Sequence, residues 1–199
     1  MAKTLGIIPA RMASSRFPGK PLKKILDIPM LAHCYERALL SEACDNLIIA
    51  TPDPEIIDWS QSHDIPSVLT SHTHQRATER AKEALDILTE KGRSYDIILL
   101  LQGDEPQILP DDIKNLKDSF TGRDLEVVNL IFQITDDDLK DPNVVKAVTD
   151  NNLNIKFFSR SHVPFNSIKT FRQLGMIGFT NKALQHYTNL QPTALEKVE

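Results

Sequence analysis

The chain has 199 residues, 41% hydrophobic and 25% charged, with a net charge of −4 at pH 7. That length suits one domain with a sizeable core, and the slight acidity excludes the global positive field of a nucleic-acid binder. No stretch approaches the roughly 20 apolar residues of a membrane helix, and the N-terminus lacks a signal-peptide pattern, so a cytoplasmic protein without membrane or nucleic-acid partners is expected.

In chain order, residues 5–9 form a short apolar run that predicts a buried strand. Pro29 then opens a helical pattern, with Met30, Leu31, Cys34, Tyr35, Ala38 and Leu39 at helical spacing. Residues 47–50 predict a second strand, 54–61 a short helix and 67–69 a third strand. Ala77, Ala81, Ala84, Leu85 and Leu88 make the stripe of another helix, ended by Gly92. Residues 97–101, IILLL, are the clearest strand, and an uninterrupted apolar run predicts a sheet covered on both faces. Pro110 starts the next helix. This alternation predicts a parallel sheet with right-handed crossovers. From about residue 125 strand-like runs dominate: VVNLIF, VVKAVT, IKFFS and LGMIGF. They are expected to extend the sheet and to form a small second β layer. The acidic run at 136–138 reads as a solvated turn. Cys34 and Cys44, without CxxC spacing, read as reduced thiols of a cytosolic protein.

In open parallel sheets, ligands bind beyond the carboxyl ends of the strands. Two segments leave such ends. The first, IIPARMASSRFPGKPL at residues 7–22, holds Arg11, Arg16 and Lys20 with two serines and Gly19. Small residues and backbone N–H groups wrap phosphate oxygens closely, and the cations neutralise them. It is neither a P-loop nor GxGxxG, and composition alone favours a solvated basic loop. The second is QGDEP at residues 102–106. A carboxylate at the end of a central strand needs a partner. Beside a phosphate loop that partner is Mg²⁺, with Asp104 as the ligand candidate. A turn or helix cap is the competing reading. His72 and His74 have weak metal spacing with no third ligand nearby, which argues against zinc.

With both segments in view, the sequence resembles the sugar nucleotidyltransferases, and within them the 3-deoxy-manno-octulosonate cytidylyltransferase (CMP-Kdo synthetase) family of lipopolysaccharide biosynthesis. The matching stretches are residues 7–22, ERA at 36–38, HQRATER at 74–80, LQGDEP at 101–106, DPNVVKAV at 141–148, FFSRSHVPF at 157–165, LGMIGF at 174–179 and QPTALEKVE at 191–199. The resemblance implies a Rossmann-like nucleotidyltransferase α/β fold over a single domain, residues 1–199. It implies Mg²⁺-dependent transfer of a cytidylyl group from CTP to the anomeric hydroxyl of an acidic 2-keto sugar. By the same resemblance Arg11, Lys20 and Asp104 are catalytic, with Asp104 the metal ligand. Arg11, Ser14, Ser15, Arg16, Lys20 and Gln102 contact the nucleotide, as does the segment carrying His74, Arg76, Ala77, Thr78 and Arg80. Arg160, Gln173 and Glu196 contact the sugar. A homodimer is the family's common assembly.

Three departures stand out. The family text around the base is HxSGT, whereas this chain reads HQRAT, with Arg76 and Ala77 in place of Ser and Gly. Gln173 stands where a His is common, so the acceptor is expected to be Kdo or a variant of it, an amino or otherwise modified ulosonic acid; a sialic-type nonulosonate is the alternative. The sequence also ends at Glu199, inside a helix of the family pattern, so a truncated product or a natural short form without the family's C-terminal segment and its second acidic Mg²⁺ ligand is expected. The resemblance therefore also allows a catalytically impaired nucleotide-binding relative, with poor turnover expected.

Overall fold

The computed structural model describes residues 2–13, 17–164 and 170–194. They form two compact units, Met1–Val128 with Met176–Asn189, and Asn129–Gly175 with Leu190–Glu199.

In the first unit, β1 (Thr4–Pro9), β4 (Asn46–Thr51), β5 (Ser67–Leu69) and β6 (Ile97–Leu100) lie in the order β5-β4-β1-β6. Every pairing among these four is parallel, with Ile7 opposite Ile48 and Leu100. The alternation predicted from the sequence holds here, because each strand is followed by a helix that returns the chain to the same edge. These helices are α1 (Met30–Leu40), α2 (Pro54–Ser62), α3 (Ala77–Glu90) and α4 (Pro110–Asp118). Leu5, Ile7, Ile48, Ala50, Ile98 and Leu100 pack with Ala81, Ala84, Leu85 and Leu88 of α3 in one buried cluster. Leu31 of α1 and Ile113 of α4 are also fully buried. Burial on both faces explains why these strands read as continuous apolar runs.

Between β1 and α1 lies a feature absent from the sequence reading. A two-stranded antiparallel hairpin, β2 (Lys24–Ile25) and β3 (Ile28–Pro29), turns through Leu26 and Asp27, both at positive φ. Turn predictions look for Gly or Asn at such positions, so Leu-Asp hid it.

The strand β10 (Phe171–Thr180) pairs antiparallel with β6 through residues 177–180, and α6 (Asn181–Thr188) follows it. Gly178 sits where a Cβ would come within 2.5 Å of the Phe120 ring. In the second unit, β8 (Lys146–Thr149) pairs antiparallel with β9 (Ile155–Ser159) and with residues 171–172 of β10. β7 (Val127–Gln133) also pairs with β10. The acidic run predicted as a turn is a short helix, α5 (Asp136–Lys140), whose N-cap Thr135 accepts from the Asp138 N–H. Three Asp residues in a first turn complement the helix dipole, which composition alone did not reveal.

Among the described residues no helix is long and apolar enough to cross a membrane.

Candidate active site

Two neighbouring parallel strands end side by side, and that brings the two suspect loops together. β1 runs on into a loop whose described residues are 10–13 and 17–19. This loop is tied down at three points: Ala10 N–H donates to Ala50 O at 2.9 Å, Met12 N–H to Asp53 Oδ2 at 2.7 Å, and Gly19 N–H to Met12 O at 3.0 Å. Gly19 has φ +72, a left-handed conformation that a side chain would strain. It places Lys20 at the start of a single 3₁₀ turn. β6 continues to Leu101, whose N–H donates to Ile7 O at 2.9 Å.

Gly103 then passes the end of β1 so closely that a Cβ would lie 2.8 Å from Pro9 O. Its backbone is not in the positive-φ region. This glycine serves close approach rather than a left-handed turn. The next residue, Asp104, meets Lys20: Nζ donates to Oδ2 at 3.0 Å, with the side chains 35% and 52% exposed. A pair that wet contributes about 0–1 kcal/mol, so Lys20 and Asp104 are readily drawn to other partners.

The third wall comes from α3. Gln75 and Arg76 N–H both donate to Glu79 Oε2, at 3.0 and 3.2 Å, which caps the helix start. Arg76 is thus the helix's N-cap residue and Ala77 its first residue. His74 Nε2 lies 2.6 Å from Glu83 Oε2, which also accepts the Ser71 N–H at 2.8 Å. Arg80 is 4% exposed and donates to Thr70 Oγ1 at 2.6 Å and to Ser71 O at 3.1 Å. Burial lowers the Arg80 pKa, and the positive charge of Arg11 lowers it further, while Asp53 and Glu83 act the other way. Two guanidinium groups that raise one another's cost are relieved by an anion.

These walls enclose a cleft of about 590 Å³. Arg11, Lys20 and Asp104 line it, as do His74, Arg76, Ala77, Arg80 and Gln102. Thr78 is buried and is not among the lining residues. Ser14, Ser15, Arg16 and Glu196 lie outside the described residues. Arg160 and Gln173 belong to the second unit. Phe17 and Met30 add an apolar part to the cleft wall, and Asp53 anchors the loop; the sequence reading placed Met30 only in a helical stripe and named neither Phe17 nor Asp53 as a site residue. The TPDP run after β4 is the signal that marked Asp53.

In the second unit, Arg160 is exposed and donates from Nη1 to Pro142 O at 3.1 Å. Gln173 has a defined amide orientation. Asn129 Nδ2 donates to Leu174 O at 2.9 Å, and a carbonyl only accepts. Asn129 Oδ1 therefore faces Gln173 Nε2 at 2.8 Å, and Gln173 Oε1 is the acceptor end.

Among the described residues no three His, Cys, Asp or Glu side chains come together as a metal cage. Asp104 is a hard oxygen donor at the lip of a cationic cleft, which fits Mg²⁺ held by one carboxylate with the remaining ligands drawn from phosphate and water.

Residues 5–199 match the family model described as cytidylyltransferase. A 3-deoxy-manno-octulosonate cytidylyltransferase of Arabidopsis thaliana, named as mitochondrial, is 36% identical over 100% of this chain and 70% of its own length. The chain belongs to the 3-deoxy-manno-octulosonate cytidylyltransferase family. An 8-amino-3,8-dideoxy-manno-octulosonate cytidylyltransferase of Shewanella frigidimarina is 37% identical to this cytidylyltransferase over 97% of the chain and 81% of its own. A solved CMP:2-keto-3-deoxy-manno-octonic acid synthetase complexed with CTP superposes with a TM-score of 0.91 at 31% identity, covering 99% of this chain and 82% of the other. The resemblance read from the motifs and the expected fold class are both borne out.

Proposed function

We propose that this cytidylyltransferase moves the cytidylyl group of CTP onto the anomeric hydroxyl of a 3-deoxy-2-ulosonic acid of the Kdo type and releases pyrophosphate. One observation carries the reading: Arg11, Lys20, Arg80 and Asp104 converge on one cleft at the carboxyl ends of β1 and β6. In the reaction the anomeric oxygen attacks the α-phosphorus, the bond to the bridging oxygen of pyrophosphate breaks, and the hydroxyl proton passes to water. Arg11 and Lys20, which line this cleft, are assigned the neutralisation of the charge gathering on the leaving pyrophosphate, the role electrostatics demands in phosphoryl and nucleotidyl transfer. Asp104 is the residue proposed to hold Mg²⁺ with the phosphate oxygens; the ion, when bound, withdraws charge from those oxygens and favours in-line geometry. Arg160 is proposed to fork onto the sugar carboxylate, and Gln173 and Glu196 are proposed as further sugar contacts.

The Shewanella frigidimarina relative favours a second reading of the acceptor, an amino-substituted acid. The acceptor end of the Gln173 amide suits an ammonium or hydroxyl donor on such a sugar.

The test is pyrophosphate release from CTP and Mg²⁺ with Kdo, its 8-amino form and a sialic-type acid, beside Asp104→Ala. Release with an octulosonic acid, lost in Asp104→Ala by a factor of about 100 or more, is expected for a charge-stabilising group. Silence across the panel overturns the transfer reading. In that case a CTP-induced stabilisation, about 2.7 kcal/mol at 100 times Kd, assigns a nucleotide-binding relative, and no stabilisation removes the nucleotide as well.

A further inference from the structure

Lys146 is a charge in an unusual place. It sits on β8 in the second unit, with 0% of its surface exposed. Lysines are almost never fully buried without a counter-charge, because the ammonium loses its hydration. Among the described residues its Nζ bonds to no carboxylate. It donates to two backbone carbonyls, Asp141 O at 2.6 Å and Arg160 O at 3.0 Å. The Asp141 carboxylate is turned to other work, accepting from Asn143 N at 2.8 Å and Asn143 Nδ2 at 2.9 Å.

Those two carbonyls come from segments 19 residues apart, one just before β8 and one just after β9. The Arg160 side chain then returns to the first of them, through Nη1 to Pro142 O at 3.1 Å. The result is a closed cross-link: the ammonium holds both backbones, and the guanidinium rests on the turn that the ammonium holds. An apolar side chain at position 146 would avoid the desolvation of the ammonium but would take this donor from the Asp141 and Arg160 carbonyls. The two hydrogen bonds of the ammonium fix the backbone that carries one exposed guanidinium. Burial also lowers the Lys146 pKa, which fits a desolvated cation.

We propose that Lys146 is a positioning residue for the sugar acid: it fixes the backbone at Arg160 so that the guanidinium is presented in one orientation to the substrate carboxylate. This rests on the reading of Arg160 as the carboxylate ligand.

The experiment uses the whole chain with CTP, Mg²⁺ and Kdo. Affinity for Kdo is read as KM in turnover and, independently of turnover, as Kd by calorimetry. Lys146→Met is expected to weaken Kdo by about 10-fold while KM for CTP and the CTP-induced rise in Tm stay within about 2-fold, a split that general destabilisation does not produce. Arg160→Ala is expected to weaken Kdo at least as much. The double variant is expected to be no worse than Arg160→Ala alone, since one residue acts through the other. If Arg160→Ala weakens Kdo and Lys146→Met does not, or if the two losses add, the positioning role is overturned. If Arg160→Ala leaves Kdo unchanged, the carboxylate-ligand reading itself fails and the positioning role falls with it. Should Lys146→Met not yield folded protein, Lys146→Gln, which keeps an uncharged N–H donor group on a shorter stem, goes through the same comparison.

Discussion

At the scale of single residues, the site depends on one missing side chain as much as on any charge. Gly103 lets the strand-end segment lie against Pro9 O, and this closeness brings Asp104 within 3.0 Å of Lys20. In Gly103→Ala a methyl at 2.8 Å from a backbone oxygen cannot be accommodated by a rotamer change; the loop must move. The expected result is a stability loss of about 1–3 kcal/mol with a turnover loss larger than that destabilisation explains, because small misplacements of catalytic groups cost on the order of 100-fold. Chemical denaturation and kinetics on the same preparation measure both. An unchanged kcat would show that the exact course of this loop is immaterial.

At the scale of elements, the cation loop is a branch hung from its neighbours. Asp53, at the N-cap position of α2, reaches across to the Met12 N–H at 2.7 Å. It also offsets part of the repulsion between Arg11 and Arg80, as the direction of its effect on Arg80 shows. Asp53→Ala removes both effects, while Asp53→Asn keeps an oxygen for Met12 and removes only the charge. KM for CTP is expected to rise about 10-fold in Asp53→Ala and to recover in part in Asp53→Asn, since an anchored loop binds with less ordering cost. Equal KM values in wild type and Asp53→Ala would show that the other two ties suffice.

At the scale of the whole molecule, both cysteines are free and their thiols are pushed from an ordinary 9.0 to about 12. Burial is the main cause in each; at Cys34 a hydrogen bond with the Glu105 backbone opposes it and the charges of Asp104 and Glu105 add to it, and at Cys44 Asp45 adds to it. A raised folded pKa makes the unfolded thiol ionise first. The stabilisation is therefore full below pH 9 and is lost as pH climbs towards about 12. Urea midpoints at pH 8 and pH 10.5 are expected to fall more steeply for the wild type than for Cys34→Ala. Parallel slopes would mean that Cys34 is ionisable in the folded protein.

The legible part of the fold was the part where one physical rule acts alone. β1, β4 and β6 are apolar on both faces, so burial made them visible, and Pro54 and Pro110 marked helix starts that geometry requires. The β2–β3 hairpin was illegible because its turn uses Leu26 and Asp27 at positive φ, against local preference. α5 was hidden because three Asp residues read as solvent-facing turn until Thr135 caps them.

The sequence by itself determined the chemistry of the site. Arg11, Lys20 and Asp104 follow apolar runs that must be strands, and residue type and spacing carry that information locally. Tertiary structure alone decided which groups meet. Lys20 and Asp104 are 84 residues apart and touch because β1 and β6 pair in parallel. The Asp53 tie, the close pass of Gly103 and the buried ammonium of Lys146 each depend on contacts between distant segments, and burial and register set such contacts; no local pattern records them.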